Sequence, residues 1–329
     1  MIAIMKCKDI IKKVVVPLIE PYLRFTNRQP RVLFWHGVGI NPSHEVEAEV
    51  IDVQNFLKQL DYLQKHFDIV SMTEFEKRYK SKTFNNREVV LTFDDGYANN
   101  LSVLAPIMHE RKLPYTVFIS TFNIDTGLFF PTSIARIAIL GSEVGSLELS
   151  CISKKYIFNN HNDRIVAAKE ISTLLKTLPL DSVKELVKDL ISNFSESSWC
   201  YLQEKYSLVR PMSWEEVRRL KDMGAEIGSH CIDHVCCHSN QKLSELEKQI
   251  TDSRNIIEQK LGEECRYFAY PNGDNTIESN LITDNVYKLG FTTNKKERIT
   301  SYNGISSIPR IGIPYNFETF LFVLNKNPY

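Results

Sequence analysis

The chain has 329 residues, 43% of them hydrophobic, with 40 Lys plus Arg against 40 Asp plus Glu and a formal net charge of zero. That is ample apolar material for a large core, and the balanced charge without a basic stripe argues against a nucleic-acid partner. Seven cysteines, an odd number that includes the adjacent Cys236 and Cys237, do not make a secreted disulfide framework and predict a reducing, cytoplasmic location.

Residues 1–30 are read as an N-terminal helical segment. Lys6, Lys8, Lys12 and Lys13 interrupt its apolar residues, so no cleavable signal peptide is read there. No apolar run reaches the ~18 residues of a spanning helix. The stretch from Lys8 to Phe25 has the composition of an amphipathic helix packed on its own domain, with peripheral contact to a membrane as the alternative. Pro17 and Pro21 weaken both readings.

From Arg31 onward, apolar β-type runs alternate with helical patterns. Residues 31–35 form a predicted strand, and Phe56, Leu57, Leu60 and Leu63 recur at helical spacing. Residues 67–70 read as a strand, with Thr73 and Glu76 as a capping box for the next helix. Residues 88–93 are a strongly apolar strand, followed by a helix over about 98–112 and a strand over 115–120. The stretch 125–210 breaks this rhythm with two predicted helices, 163–178 and 181–194, and no clear strand; it is read as a helical insertion. The alternation then returns. Ser213 with Glu216, and Ser244 with Glu247, are read as caps of helices to about 223 and 261. Strands are predicted at 226–228 and 267–270, with weaker ones at 291–293 and 305–311. Repeated β–α units predict a parallel sheet or barrel, taken as one domain over 1–329.

Three segments carry residue types suited to chemistry. Asp94 and Asp95 end the most apolar strand, where adjacent carboxylates are costly unless paired or bound to a metal. C-terminal strand ends are where parallel α/β folds build sites, although Asp-Asp-Gly is also an ordinary turn. His230 and His234 are four apart, the spacing that puts both on one side of a helical turn. Two imidazoles and a carboxylate leave coordination positions open, the pattern of a catalytic metal rather than a closed structural site; an isolated pair is also compatible with two surface histidines. Third, Arg266-Tyr267-Phe268-Ala269-Tyr270-Pro271-Asn272-Gly273 reads as a strand and a tight turn. An arginine there could hold a carboxylate ionised, and the turn could offer a backbone N–H to an oxyanion.

Thr-Phe-Asp-Asp-Gly, then His-x-x-x-His, then Arg-x-Phe-x-Tyr-Pro-x-Gly, in this order, resembles the polysaccharide deacetylase family, also called the NodB-homology or carbohydrate esterase 4 fold. The resemblance runs from about Arg31 to Arg310 outside the insertion, and includes Met212-Ser213-Trp214 and Ile308-Pro309-Arg310-Ile311. It implies a distorted (β/α)7 barrel and an N-acetylated carbohydrate substrate. It implies a divalent metal, usually zinc, with Co2+, Mn2+, Ni2+ or Fe2+ able to serve, held by Asp95, His230 and His234. It further implies Asp94 as general base, Arg266 as its partner, and the Tyr270 backbone N–H as an oxyanion donor.

Two departures stand out. Many members carry a late Leu-x-His histidine as general acid, yet no histidine follows His238 here. A rearranged branch that includes bacterial poly-N-acetylglucosamine deacetylases places it on an early strand. Trp35-His36-Gly37-Val38 is similar to that early Tyr-His-x-Val segment, so His36 is the expected acid. Cys231 and Val235 also replace the usual neighbours of the two histidines, which predicts tuning rather than loss of the site. The expected activity is removal of N-acetyl groups from an amino-sugar glycan or its precursor. The alternatives are a catalytically impaired carbohydrate-binding barrel and a non-haem iron oxygenase, which shares the two-histidine, one-carboxylate set.

Overall fold

The apolar run Glu88–Phe93 is a fully buried strand in the computed structural model. The structure describes residues 15–25, 29–293, 299 and 304–325. Eight parallel strand segments form the ring of the central sheet: β1 (Arg31–Trp35), β2 (Glu88–Phe93), β3 (Tyr115–Ile119), β4 (Ala225–Ser229), β5 (Tyr267–Ala269), β6 (Leu289–Thr292), β7 (Ile308–Pro309) and β8 (Ile311–Gly312); a ninth, short strand, Asp68–Ile69, pairs with the start of β2. Their spatial order is β7-β6-β5-β4-β3-β2-β1-β8. Residues 308–312 close the ring: β7 pairs with β6 (Phe291 beside Ile308), and β8 pairs with β1 (Leu33 beside Ile311). Arg310 stands at this seam. Counting that stretch once gives seven positions around the barrel, the distorted (β/α)7 architecture expected from the sequence.

Strand alternation sorts the core. Val32, Val90, Phe118 and Phe291 pack together with Met72 and Phe75 of helix Met72–Ser81. Their sequence neighbours Leu33, Leu91 and Val117 belong to a second cluster, together with Phe268 of β5, Phe56 and Leu60 of helix Val53–His66 and Val217 and Leu220 of helix Trp214–Asp222. Successive residues of a strand point to opposite faces, so strands covered on both sides are apolar throughout.

Three helix starts show where local patterns hold and where packing overrides them. Ser213 and Glu216 form the expected capping box. Helix Met72–Ser81 is instead capped by Ser71, whose side chain accepts from the Glu74 N–H. Thr73 and Glu76 serve the barrel end: Thr73 donates to Glu226, and Glu76 accepts from Arg266 and Tyr267. Helix Leu243–Leu261 follows Lys242 with no side-chain cap, so Ser244 and Glu247 lie inside it. The expected helix over 98–112 is divided into a π-helical turn, Asn100–Leu104, and an α-helix, Ala105–Glu110. Pro106 has no N–H to donate into the preceding turn.

The stretch after β3 holds the helices His161–Thr177 and Leu180–Ser192 at the expected positions, with Glu196–Lys205 beyond them. It also contains an antiparallel hairpin, Ser146–Leu149 with Lys154–Ile157, ahead of these helices, which the sequence reading of a helical insertion did not include. Ile134, Ile171, Leu186, Leu190 and Trp199 belong to a separate apolar cluster there. At the N-terminus a helix covers 15–25 and passes through Pro17 and Pro21; it buries Val16 and Glu20 and exposes Leu18. Residues 8–14 of the expected helix lie outside the described residues. No helix among the described residues is long and apolar enough to cross a membrane.

Candidate active site

The chemistry-bearing residues follow the C-terminal ends of strands. Asp94 extends β2 by one position, its N–H donating to the Trp35 carbonyl (2.9 Å). Asp95 (φ 73°) and Gly96 (φ 75°) then both take the left-handed conformation. A Cβ at Gly96 would lie 2.7 Å from Ile119 Cγ2, so this turn needs glycine. The turn sends the two neighbouring carboxylates to different partners.

His230 and His234 are not on a helical turn. They occupy an irregular loop after β4 in which Cys231 (φ 65°) and His234 (φ 54°) are left-handed. The loop is held by Gln249, which sequence reasoning missed. Its Oε1 accepts from the N–H groups of Ile232 (3.0 Å) and Asp233 (2.9 Å), and its Nε2 donates to Asp233 Oδ2 (2.6 Å). His230 Nδ1 lies 2.6 Å from the Ala269 carbonyl oxygen, which can only accept, so Nδ1 carries the proton and Nε2 is left as a donor atom for an ion. Phe130 meets the His234 ring edge-on at 5.1 Å.

Asp95, His230 and His234 converge, with one ligand atom from each within 4.8 Å of the others. Asp95 Oδ1 is 3.1 Å from His234 Nε2 and 3.7 Å from His230 Nε2. That oxygen is buried and makes no hydrogen bond. Burial pushes the His230 pKa down to about 4, so the ring is neutral at pH 7, the form that binds metals. Burial works against Asp95 ionisation, yet the nearby His234 holds its pKa far below the usual carboxylate range. An ionised, unbonded, buried carboxylate oxygen beside two imidazole nitrogens fits a divalent cation.

Asp94 has a different partner from the one expected. Arg310 grips it with two bonds of 2.7 Å, and both side chains are essentially inaccessible. The same guanidinium donates to Thr92 Oγ1 (3.1 Å) and lies over the Phe34 ring at 4.7 Å. Burial alone would raise the Asp94 pKa, but Arg310 and then His230 outweigh it and hold it below the ordinary value. Arg266 pairs with Glu76 at 2.6 Å instead. It precedes β5 and so sits at the opposite end of the barrel from Asp94, which follows β2. The expected Tyr270 donor is also engaged elsewhere: its N–H bonds to the Phe291 carbonyl (3.0 Å), and its hydroxyl to Asn280 and Thr283. The clue to Arg310 was its place in the apolar segment Ile-Pro-Arg-Ile, where an arginine needs a buried partner.

His36 follows β1 and lines the same cavity, of about 450 Å3, as Asp94, Asp95, His230 and His234. Trp214 and Tyr97 do not line it; Trp214 donates to Asp125, and Tyr97 is buried among apolar side chains.

A parallel barrel with two histidines, a carboxylate and a separately clamped second carboxylate at its C-terminal mouth is the arrangement of a barrel hydrolase. The chain belongs to the polysaccharide deacetylase family, whose sequence pattern it matches over residues 81–148 and 188–293, just over half its length. It is a carbohydrate deacetylase by that membership. Its fold is similar to that of the Streptococcus pyogenes deacetylase PplD in complex with acetate (17% identity, TM-score 0.58, 92% of this chain and 99% of that one). It is similar also to IcaB from Ammonifex degensii (16%, 0.55, 91% and 97%) and to the polysaccharide deacetylase BC0361 from Bacillus cereus (14%, 0.55, 91% and 68%). No curated protein sequence matches the chain.

Proposed function

We propose that this protein is a metal-dependent hydrolase that removes N-acetyl groups from an amino-sugar glycan or glycan precursor. The observation that carries this reading is the shared cavity: the Asp95, His230 and His234 donor set, the Arg310-clamped Asp94 and His36 all border it. A divalent ion held by Asp95, His230 and His234 would supply Lewis-acid polarisation of the acetyl carbonyl and acidify a water. Zinc suits two imidazoles and one carboxylate, and Co2+, Mn2+, Ni2+ or Fe2+ would be replacements. Asp94, kept ionised by Arg310, takes the proton from the attacking water. His36 gives a proton to the sugar nitrogen, which leaves as an amine rather than an amide anion. Acetate is the other product, and the complex of the PplD relative with acetate supports this assignment. The six described cysteines are free and the whole chain carries an odd seven, which supports a cytoplasmic precursor as substrate.

The direct test is acetate release from a panel of N-acetylated sugars after chelation and after re-addition of zinc or cobalt. Release that requires the added metal is expected; no release from any sugar would favour the impaired binding barrel. An iron and 2-oxoglutarate requirement would favour the oxygenase alternative. Replacing His234 with Ala removes one of three ligands and should lower bound metal, read by elemental analysis. Full metal retention would argue against the site.

His36→Gln separates the acid role from a structural one. Turnover of an N-acetyl sugar should fall, whereas an acetate ester with a good leaving group should be spared because it needs less protonation. Equal losses on the two substrates would make His36 structural.

A further inference from the structure

Beside the catalytic cavity lies an apolar groove of about 440 Å3, and Pro131, Leu180, Val183 and Asp233 line both. Helix Leu180–Ser192 forms one wall through Val187 and Ile191. Phe122, Leu128 and Phe129, from the chain after β3, also line it. The groove is edged by two ammonium groups one helical turn apart, Lys184 and Lys188. Lys184 lies 3.1 Å from Asp233 Oδ1 and 5.8 Å over the Phe122 ring. It therefore offsets the one carboxylate in the lining, and Lys188 adds a positive charge.

A sugar polymer would be matched by hydroxyl-bonding side chains along its path. A hydrocarbon wall with cationic edges matches an apolar chain that carries an anionic group. We infer, building on the deacetylase reading above, that the substrate is an N-acetylated saccharide joined through phosphate to a long hydrocarbon chain. The sugar enters the cavity at Asp94 and His36, the phosphate lies by Lys188, and the hydrocarbon fills the groove between Phe122 and Ile191.

The test compares kcat/KM for acetate release by the full chain, loaded with zinc, on three substrates. They are N-acetylglucosamine linked through phosphate to farnesol, neutral octyl N-acetylglucosaminide, and chitotetraose. The phosphate-linked conjugate should exceed chitotetraose by roughly ten- to a hundred-fold, mostly through KM, as burial of several methylenes predicts. Ile191→Glu should abolish that advantage while leaving turnover of chitotetraose unchanged. Lys188→Glu should reduce it for the phosphate-linked conjugate and not for the octyl glycoside. Farnesyl phosphate alone should bind the wild type in calorimetry and bind Lys188→Glu more weakly, a readout that remains if Ile191→Glu fails to fold.

Equal kcat/KM for the farnesyl conjugate and chitotetraose would overturn the inference, as would failure of farnesyl phosphate to bind. An equal gain from the neutral octyl glycoside would overturn the phosphate assignment. Acetate release from chitotetraose alone defeats this inference and leaves the deacetylase reading intact, whereas release from none of the three defeats that reading.

Discussion

Replacing Asp94 with Asn should lower kcat by roughly two to four orders of magnitude, the usual range for loss of a general base, while bound metal changes little. The side chain keeps its shape, and the Asp95, His230 and His234 donor set does not include it. What disappears is the ionised oxygen that takes the proton from water. The amide also turns one hydrogen-bond donor toward the Arg310 guanidinium in place of an acceptor, so some stability should be lost as well. Single-turnover acetate release and elemental analysis on the same preparation separate the two effects. Near-normal turnover would refute the role of Asp94.

Arg310→Met should have the second large effect, on both stability and pH dependence. It leaves a buried carboxylate without its two hydrogen bonds and its counter-charge. Breaking a buried pair in this way costs roughly 3–5 kcal/mol. The sign of the pH effect follows from the opposing influences on Asp94. Burial raises its pKa, and Arg310 is the foremost influence that lowers it. In the wild type the pair contributes stability that is present above the ordinary carboxylate pKa and is lost as pH falls through the depressed folded value. Without the guanidinium the Asp94 pKa rises, so the acid limb of the kcat/KM profile should move to higher pH. Adding Asp94→Asn to Arg310→Met should restore part of the lost thermal stability, because the unpaired charge is gone. Arg266→Met provides the contrast. Its guanidinium is partly exposed and bonded to Glu76, so its acid limb should stay where it is in the wild type. A shifted limb in Arg266→Met with an unshifted one in Arg310→Met would reverse the assignment of the two arginines.

The difference between these arginines shows what kind of information a sequence carries. Arg266 belongs to a recognisable local pattern, Arg-x-Phe-x-Tyr-Pro-x-Gly, and that pattern places it correctly just ahead of a strand. In a parallel barrel, a residue ahead of a strand is at the opposite end from one behind a strand. At about 3.3 Å per residue, Arg266 and Tyr270 are separated by ~13 Å along the chain. Arg310 pairs with a residue 216 positions away, and no local periodicity encodes that contact.

The sequence by itself determined the alternation of strands and helices, the strand ends that carry Asp94, Asp95, His36 and His230, and the helices at His161–Thr177 and Leu180–Ser192. These follow from apolar periodicity and from short-range turn chemistry, which act within a few residues. Other features depended on the tertiary structure. The cap of helix Met72–Ser81 moved to Ser71 because Thr73 and Glu76 are drawn to partners 153 and 190 residues distant. The histidine pair meets Asp95 through a loop fixed by Gln249, a helix residue 15 positions beyond His234. The Tyr270 N–H was claimed by the neighbouring strand, since a ladder amide in a buried sheet must bond to what lies beside it. Which partner a buried charge or amide finds is set by closure of the barrel, when residues 308–312 bridge β6 and β1 and carry Arg310 to Asp94.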